Sequence, residues 1–377
     1  MRIGIPREVK DGEARVGATP WMVEQLVSHG HEVLLEAGAG RGAGFADAAY
    51  VQRGARLVGT PQEVFDCPMV VKVKELQKVE FGRLRPETLI FGYQQLARDP
   101  ELLDAVLAAG VTCLAYEGVT LPDGRRPMLA PMSAIAGLMA SQIAAWALQW
   151  REGPLSGSGI LLQGLAGAPP AQVLILGDGI AGEAAARSFL RQGCRVVVLG
   201  LEASLPGLRQ RLGDGAGGDF ETALSTVEEL ARRLPAADVV VGAIAIPGKL
   251  SPKLITRPML RTMRPGSVLI DIGIDMGGIA ETARQTKLSD PIYVEEGVLH
   301  YCVPNIPAQV PQTATQALTA ATLPYILSVA NHGLQAALQE TPGLAEGLLV
   351  HGGHVVNRAL AEDCGRPFAV PFPGPTH

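Results

Sequence analysis

Short apolar runs rich in Val, Ile and Leu alternate along the chain with stretches in which apolar residues recur every three or four positions. The runs at 2–6, 31–36, 69–74, 89–93 and 111–117 read as strands, and the intervening stretches read as helices. Local signals place the helix starts. Thr19 and Pro20 supply a cap and a first-turn proline ahead of 21–28, with Gly30 just past the end; Thr60-Pro61-Gln62-Glu63 forms a capping box; Asp99-Pro100 opens a third helix in the same manner. Strands alternating with helices of this length predict a mostly parallel sheet covered on both faces.

A glycine-rich stretch at 153–167 followed by Ala168-Pro169-Pro170 interrupts this pattern, and a second α/β unit begins after it. Its strands are expected at 173–176, 195–199, 238–242 and 267–271, and its helices at 180–191 and 225–233. Ser133 is expected to cap a long helix reaching to about Arg151, and a further helix is expected over 312–332. Residues 128–150 and 297–339 carry no Asp, Glu, Lys or Arg, and each exceeds the roughly 20 residues that cross a bilayer. Pro131, Ser133, Ser141, Gln142 and Gln149 in the first, and Asn305 with Pro304, Pro307 and Pro311 in the second, favour buried helices packed between domains or subunits over membrane spans.

With 377 residues, 47% of them hydrophobic, the chain has material for two cores. A net charge of −5, without any cluster of Lys and Arg among aromatics, leaves no basic field for nucleic acid. Five single cysteines, Cys67, Cys113, Cys194, Cys302 and Cys364, lack the spacing of a metal site or a disulfide framework, so no metal is expected. The opening residues enter a strand directly, with no apolar leader, and the expected location is the cytoplasm.

The run from Val173 to Gly182 supplies the candidate chemistry. A strand leads into Gly177-x-Gly179-x-x-Gly182 and then into an Ala-rich helix, the context that a dinucleotide-binding fingerprint requires. Gly177 makes the tight turn, Gly179 admits the pyrophosphate, Gly182 lets helix and strand approach, and the helix start at Ile180 and Ala181 attracts negative charge. The fingerprint expects an acid at the end of the second strand for the ribose 2′-hydroxyl, and Gly200 stands there. Glu202, two residues on, is the nearest substitute; a 2′-phosphate assisted by Arg209 or Arg211 is the alternative. NAD is therefore expected ahead of NADP, which is not excluded.

The chain resembles the alanine dehydrogenase branch of the alanine dehydrogenase/transhydrogenase family along almost its whole length. The resemblance is carried by IGIPREVKDGEARVG at the start, VVKVKE at 70–75, APMSAIAG at 130–137, the fingerprint, IDIGIDMGG at 270–278 and HYCVPNIPAQVPQTATQAL at 300–318. It implies an α/β fold of two Rossmann-like domains, each a doubly wound parallel sheet, with an active-site cleft between them. The substrate domain would comprise 1–128 and 305–377, and the inserted dinucleotide domain 129–304. Homo-oligomers, hexamer or dimer, are implied as well.

By the same resemblance, Arg15 holds the substrate carboxylate, a task that suits the planar guanidinium fork. Lys74 contacts the substrate carbonyl and carboxylate; strand alternation puts Lys72 and Lys74 on one face, and only the family match selects Lys74. Asp275 lies near the nicotinamide and relays a proton, whereas Asp271 is structural. Ser133, Arg284, Val303, Asn305 and Ile306 match positions that touch the cofactor or line its turn. His300, on an apolar strand, reads as a satisfied core residue.

One departure bears on activity. The family places a catalytic histidine where this chain has Gln95, and a glutamine cannot exchange protons, a contribution worth about a hundred- to ten-thousandfold. The expected function is NAD-dependent, reversible oxidative deamination of a small L-amino acid, L-alanine to pyruvate and ammonia, with Lys74 and Asp275 handling protons through a water and Gln95 orienting the substrate. The alternatives are a dehydrogenase or imine reductase for another amino or oxo acid, and a dinucleotide-binding homologue impaired in turnover. A transhydrogenase subunit fits poorly, because the substrate residues persist and no membrane segment follows the fold.

Overall fold

The computed structural model describes residues 1–213, 219–244 and 250–372. The chain divides into two compact units, residues 1–132 with 308–377, and residues 133–307.

The first unit holds strands β1 (Arg2–Ile5), β2 (Glu32–Glu36), β3 (Arg56–Val58), β4 (Met69–Val71), β5 (Leu89–Gly92) and β6 (Thr112–Ala115). The second holds β7 (Gln172–Leu176), β8 (Arg195–Gly200), β9 (Asp219–Leu224), β10 (Val239–Gly242), β11 (Val268–Asp271), β12 (Ile292–Glu295) and β13 (Val298–Tyr301); β14 (Leu348–His351) and β15 (His354–Val355) return to the first. The sheet orders are β15-β14-β6-β5-β4-β1-β2-β3 and β12-β13-β11-β10-β7-β8-β9. Counting from β1 the first sheet contains the doubly wound order 3-2-1-4-5-6, and counting from β7 the second contains 3-2-1-4-5 followed by 7 and 6, so the winding reverses between β1 and β4 in one unit and between β7 and β10 in the other. Ligands of open α/β sheets bind at such switch points, outside the carboxyl ends of the strands.

Both sheets are parallel through their centres, as expected of doubly wound units, and each adds antiparallel strands at one side. β14 runs antiparallel to β6 and β15 to β14, and β12 runs antiparallel to β13. Both added hairpins close on two residues with positive φ, Glu296 (52°) with Gly297 (79°), and Gly352 (56°) with Gly353 (79°). That geometry matches the right-handed twist of a hairpin. An antiparallel edge needs no crossover helix, so these strands escape a reading built on strand–helix alternation.

The central strands are buried throughout, as sheets covered on both faces require. Val70, Ile90, Cys113, Leu103 and Val106 belong to the core of the first unit, and Leu174, Val240, Leu269, Leu230 and Leu260 to that of the second. The helix starts follow the caps. Thr19 accepts from Met22 N at the head of Pro20–Ser28, Thr60 and Glu63 close the box at Pro61–Phe65, and Asp99 accepts from Leu102 N at Pro100–Ala109.

Three local expectations change. Strand β4 ends at Val71, so Lys72 and Lys74 lie beyond it and strand alternation does not order them. The long helix runs Ala130–Ala147, so Ser133 sits inside its first turn rather than at its cap. The uncharged helix Pro311–His332 belongs to the first unit, where Thr315 Oγ1 accepts from Val16 N at 3.3 Å and Thr319 Oγ1 donates to Thr19 Oγ1 at 3.4 Å. Among the described residues, no helix is long and apolar enough to cross a membrane.

Candidate functional site

In the first unit the carboxyl ends of β1, β4 and β5 carry Arg15, Lys74 and Gln95 on the segments that follow them. Arg15 is 2% exposed. Its Nε and Nη2 donate to the two oxygens of Glu13 at 2.7 and 2.6 Å, and its Nη1 lies 3.1 Å from Met132 Sδ. The fork is thus pre-aimed by a buried carboxylate, with the Nη1 end turned toward Met132. Glu13 answers electrostatically: although burial opposes ionisation, the hydrogen bonds from Arg15 hold its carboxyl below the usual range.

The two lysines separate cleanly. Lys72 is fully buried and donates to Glu80 Oε1 at 2.7 Å, with Glu8 Oε2 at 3.4 Å. Burial works against its charge, but these two carboxylates raise its pKa. Lys74 is 8% exposed, 5.9 Å from the centre of the Tyr93 ring, and forms no ion pair among the described residues. Glu13 pairs with Arg15, Glu75 with Lys10, and Glu8 and Glu80 with Lys72. Desolvation, followed by repulsion from Arg15, lowers the Lys74 pKa below the ordinary lysine value.

Gln95 is half-buried, with left-handed backbone at φ 49°. The turn is held from beneath by Glu117, whose Oε1 accepts the amides of Gln94 at 2.9 Å and Gln95 at 2.8 Å. Burial raises the Glu117 pKa despite those bonds. The position of residue 95 therefore depends on its backbone and not on its side chain. Glu117 escaped the sequence reading because it lies on a different strand end, and no local motif marks it.

In the second unit the glycine loop follows β7 at the switch point. Gly177 has φ 110°, and a Cβ there would meet Ala243 O at 2.6 Å. A Cβ on Gly182 would collide with the Gly177 carbonyl. Gly179 differs: a Cβ there would meet nothing among the described residues within 4 Å, so close packing at this α-carbon does not require a glycine. Gly179 also stands at the N-cap of Ile180–Arg191 without a side-chain cap, leaving the first amides of that helix open to an anion. A loop kept bare where the protein does not need it bare fits a pyrophosphate, and Ile180 and Ala181 present the amides.

The remaining positions fall as follows. Gly200 ends β8, and the space above it is filled by the Asp178 side chain, which the sequence reading had passed over. Glu202 is exposed. Arg209 is engaged by Thr222 on β9, and Arg211 Nε donates to Glu183 Oε2 at 2.8 Å. Ser133 is half-buried in its helix. Arg284 is exposed and lies 3.8 Å over the Tyr293 ring. Val303 and Ile306 are buried on either side of Asn305, whose φ is 56°.

Beyond β11, Asp275 is exposed on the short turn Ile274–Met276. Asp271 is fully buried at the strand end, where its Oδ2 accepts from Ile279 N at 2.8 Å, and burial lifts its pKa to about 6. It holds the return of the chain after that turn. His300 is a satisfied core residue: Nε2 lies 2.7 Å from Thr282 Oγ1, Nδ1 lies 2.9 Å from Val298 O, and the ring stacks on Tyr293.

Two units wound in the same order, one with a glycine loop and the other with a cationic carboxyl edge, define an α/β oxidoreductase of the nucleotide-binding class. Residues 4–136 match the model of the N-terminal domain, and residues 140–358 that of the C-terminal domain, of alanine dehydrogenase/PNT. The chain belongs to the alanine dehydrogenase/PNT family. It is 44% identical to an alanine dehydrogenase of Halomonas elongata over 366 residues, covering 97% of each chain. A solved L-alanine dehydrogenase superposes with a TM-score of 0.91 at 39% identity, over 96% of this chain and 99% of that one. A transhydrogenase from Sinorhizobium meliloti superposes with a TM-score of 0.79 at 25% identity, over 95% of this chain and 100% of that one.

Proposed function

We propose that this protein is an NAD(H)-dependent alanine dehydrogenase, interconverting L-alanine and water with pyruvate and ammonia. The observation that carries the reading is Lys74, a buried cation beside Arg15 that forms no ion pair among the described residues, at the switch point of the first unit. An uncompensated buried charge costs stability and is retained where a ligand supplies its counter-charge. A 2-oxo acid offers two oxygens to that pair of cations: its carboxylate meets the Nη1 end of Arg15, and its carbonyl meets Lys74.

The nicotinamide nucleotide, when bound, takes up the hydride leaving Cα of the amino acid. The chain's own residues manage charge and protons. Arg15 fixes the carboxylate. In the amination direction the Lys74 ammonium stabilises negative charge growing on the carbonyl oxygen. Asp275 takes the proton from the water that adds to the imine carbon, and Gln95 hydrogen-bonds the amino group or the carbinolamine oxygen. Ser133, Arg284, Val303 and Asn305 would contact the nucleotide. A homo-oligomer is part of the proposal, supported by Leu138 and Trp146, which stay exposed on Ala130–Ala147.

The expected result is NADH formation from L-alanine at alkaline pH and NADH consumption with pyruvate and ammonium. Absence of turnover across a panel of amino and oxo acids would remove the proposal. Arg15→Lys keeps the charge opposite Glu13 but loses the fork; KM for pyruvate is expected to rise about tenfold or more, with kcat changed less. Equal KM values in initial-rate measurements would take Arg15 out of the site.

A further inference from the structure

The common fingerprint reads the ribose with an acid at the end of the second strand, and in this chain that strand, β8, ends in Gly200. The place is occupied from another direction. A Cβ built on Gly200 would lie 2.6 Å from Asp178 Cγ and 2.7 Å from Asp178 Cβ. Any side chain at position 200 would displace Asp178, the middle residue of Gly177-Asp178-Gly179.

The Asp178 carboxylate is anchored there. Its Oδ2 accepts the Leu201 amide at 3.0 Å and the Ser204 hydroxyl, both from the loop that follows β8. Its Oδ1 takes no hydrogen bond from a described residue, and the side chain is half-buried rather than sealed. One oxygen is fixed by the protein while the other remains available as an acceptor. Glycine at 200 and aspartate at 178 thus fit together: the carboxylate from the glycine loop lies above the α-carbon where the common fingerprint has its acid.

We propose that Asp178 is the ribose-recognising acid of this chain, accepting the adenosine 2′-hydroxyl, and that it sets the preference for NAD(H) over its 2′-phosphorylated form; this rests on the dinucleotide reading of the second unit. A carboxylate accepts from a hydroxyl and repels a phosphate. Two cations on the adjoining helix that would offset that repulsion are otherwise engaged, Arg209 by Thr222 and Arg211 by Glu183. Glu202 on the same loop is exposed and plays no part in this recognition.

The test is NADH and NADPH binding to the full chain, followed by nucleotide fluorescence, with thermal unfolding as the control for folding. The unaltered protein is expected to bind NADH the more tightly. Asp178→Ala and the milder Asp178→Asn should weaken NADH by about ten- to a hundredfold and leave NADPH unchanged or improved. Glu202→Gln should change neither. Asp178→Ala combined with Gly200→Asp should regain the NADH preference, since removing one side chain opens the place for the other. Retention of full NADH preference by both Asp178 variants, or its loss in Glu202→Gln, overturns the assignment while leaving the dinucleotide site intact. Failure of the unaltered protein to bind either nucleotide overturns the underlying reading and the assignment together.

Discussion

Gln95→His raises kcat for the reductive amination of pyruvate by about a hundredfold or more, the lower end of what a positioned proton-transfer group contributes. The backbone at residue 95 is left-handed at φ 49°, a region that histidine tolerates better than most residues. Its amide is gripped by Glu117 at 2.8 Å whatever the side chain, so the imidazole arrives at a preset position. An imidazole also brings a pKa near 6.5. The pH profile of kcat should then gain an inflection close to neutrality that the Gln95 protein lacks. Steady-state rates from about pH 6 to pH 10 check both features. A gain below threefold with no new inflection would mean that protons in this site do not pass through position 95.

Lys74→Met and Lys72→Met should part in opposite directions, although the two lysines are separated by one residue. Lys72 is the shared partner of Glu8 and Glu80; removing it strands two buried carboxylates and should cost about 3–5 kcal/mol of stability. Lys74→Met removes a buried cation that forms no ion pair among the described residues, so its melting temperature should rise by a few degrees while turnover falls by about a hundred- to a thousandfold. The sign with pH follows from the lowered pKa. The stability penalty of Lys74 is fully present below its folded pKa and fades as pH climbs toward the unfolded lysine value near 10.4, because the unfolded chain holds the proton longer. The stability gap between Lys74→Met and the unaltered protein should therefore narrow as pH rises. Equal melting temperatures for the two single variants, measured by calorimetry at neutral pH, would overturn the division of roles.

The sequence by itself determined the features that depend on near neighbours. Thr19, the Thr60–Glu63 box and Asp99 mark helix starts because a cap acts within one turn. The cores of the long central strands are visible because burial on both faces leaves continuous apolar runs. The glycine loop shows because a strand, three glycines and a helix lie in one short stretch, and the long ordered motifs were enough to identify the family. The strands at or beside the sheet edges, β3, β9, β12, β14 and β15, were missed, being short or partly exposed, so their apolar pattern is weak. The Gly352-Gly353 pair between two valine-containing segments was the one local signal that could have exposed the last hairpin.

Tertiary structure alone decided how the buried charges are shared. Period and propensity make Lys72 and Lys74 equivalent; they differ because Glu8, from the segment after β1, and Glu80, from the turn Lys78–Phe81, both reach Lys72. The missing acid at Gly200 reads along the sequence as a loss, whereas in space Asp178 fills the same place. In each case the deciding energy is a Coulombic or hydrogen-bonding term between groups that the chain's local pattern does not pair. Such a term depends on where folding brings the groups, and although Glu80 is only eight residues from Lys72, its side chain reaches that lysine because of where the turn after β4 folds back.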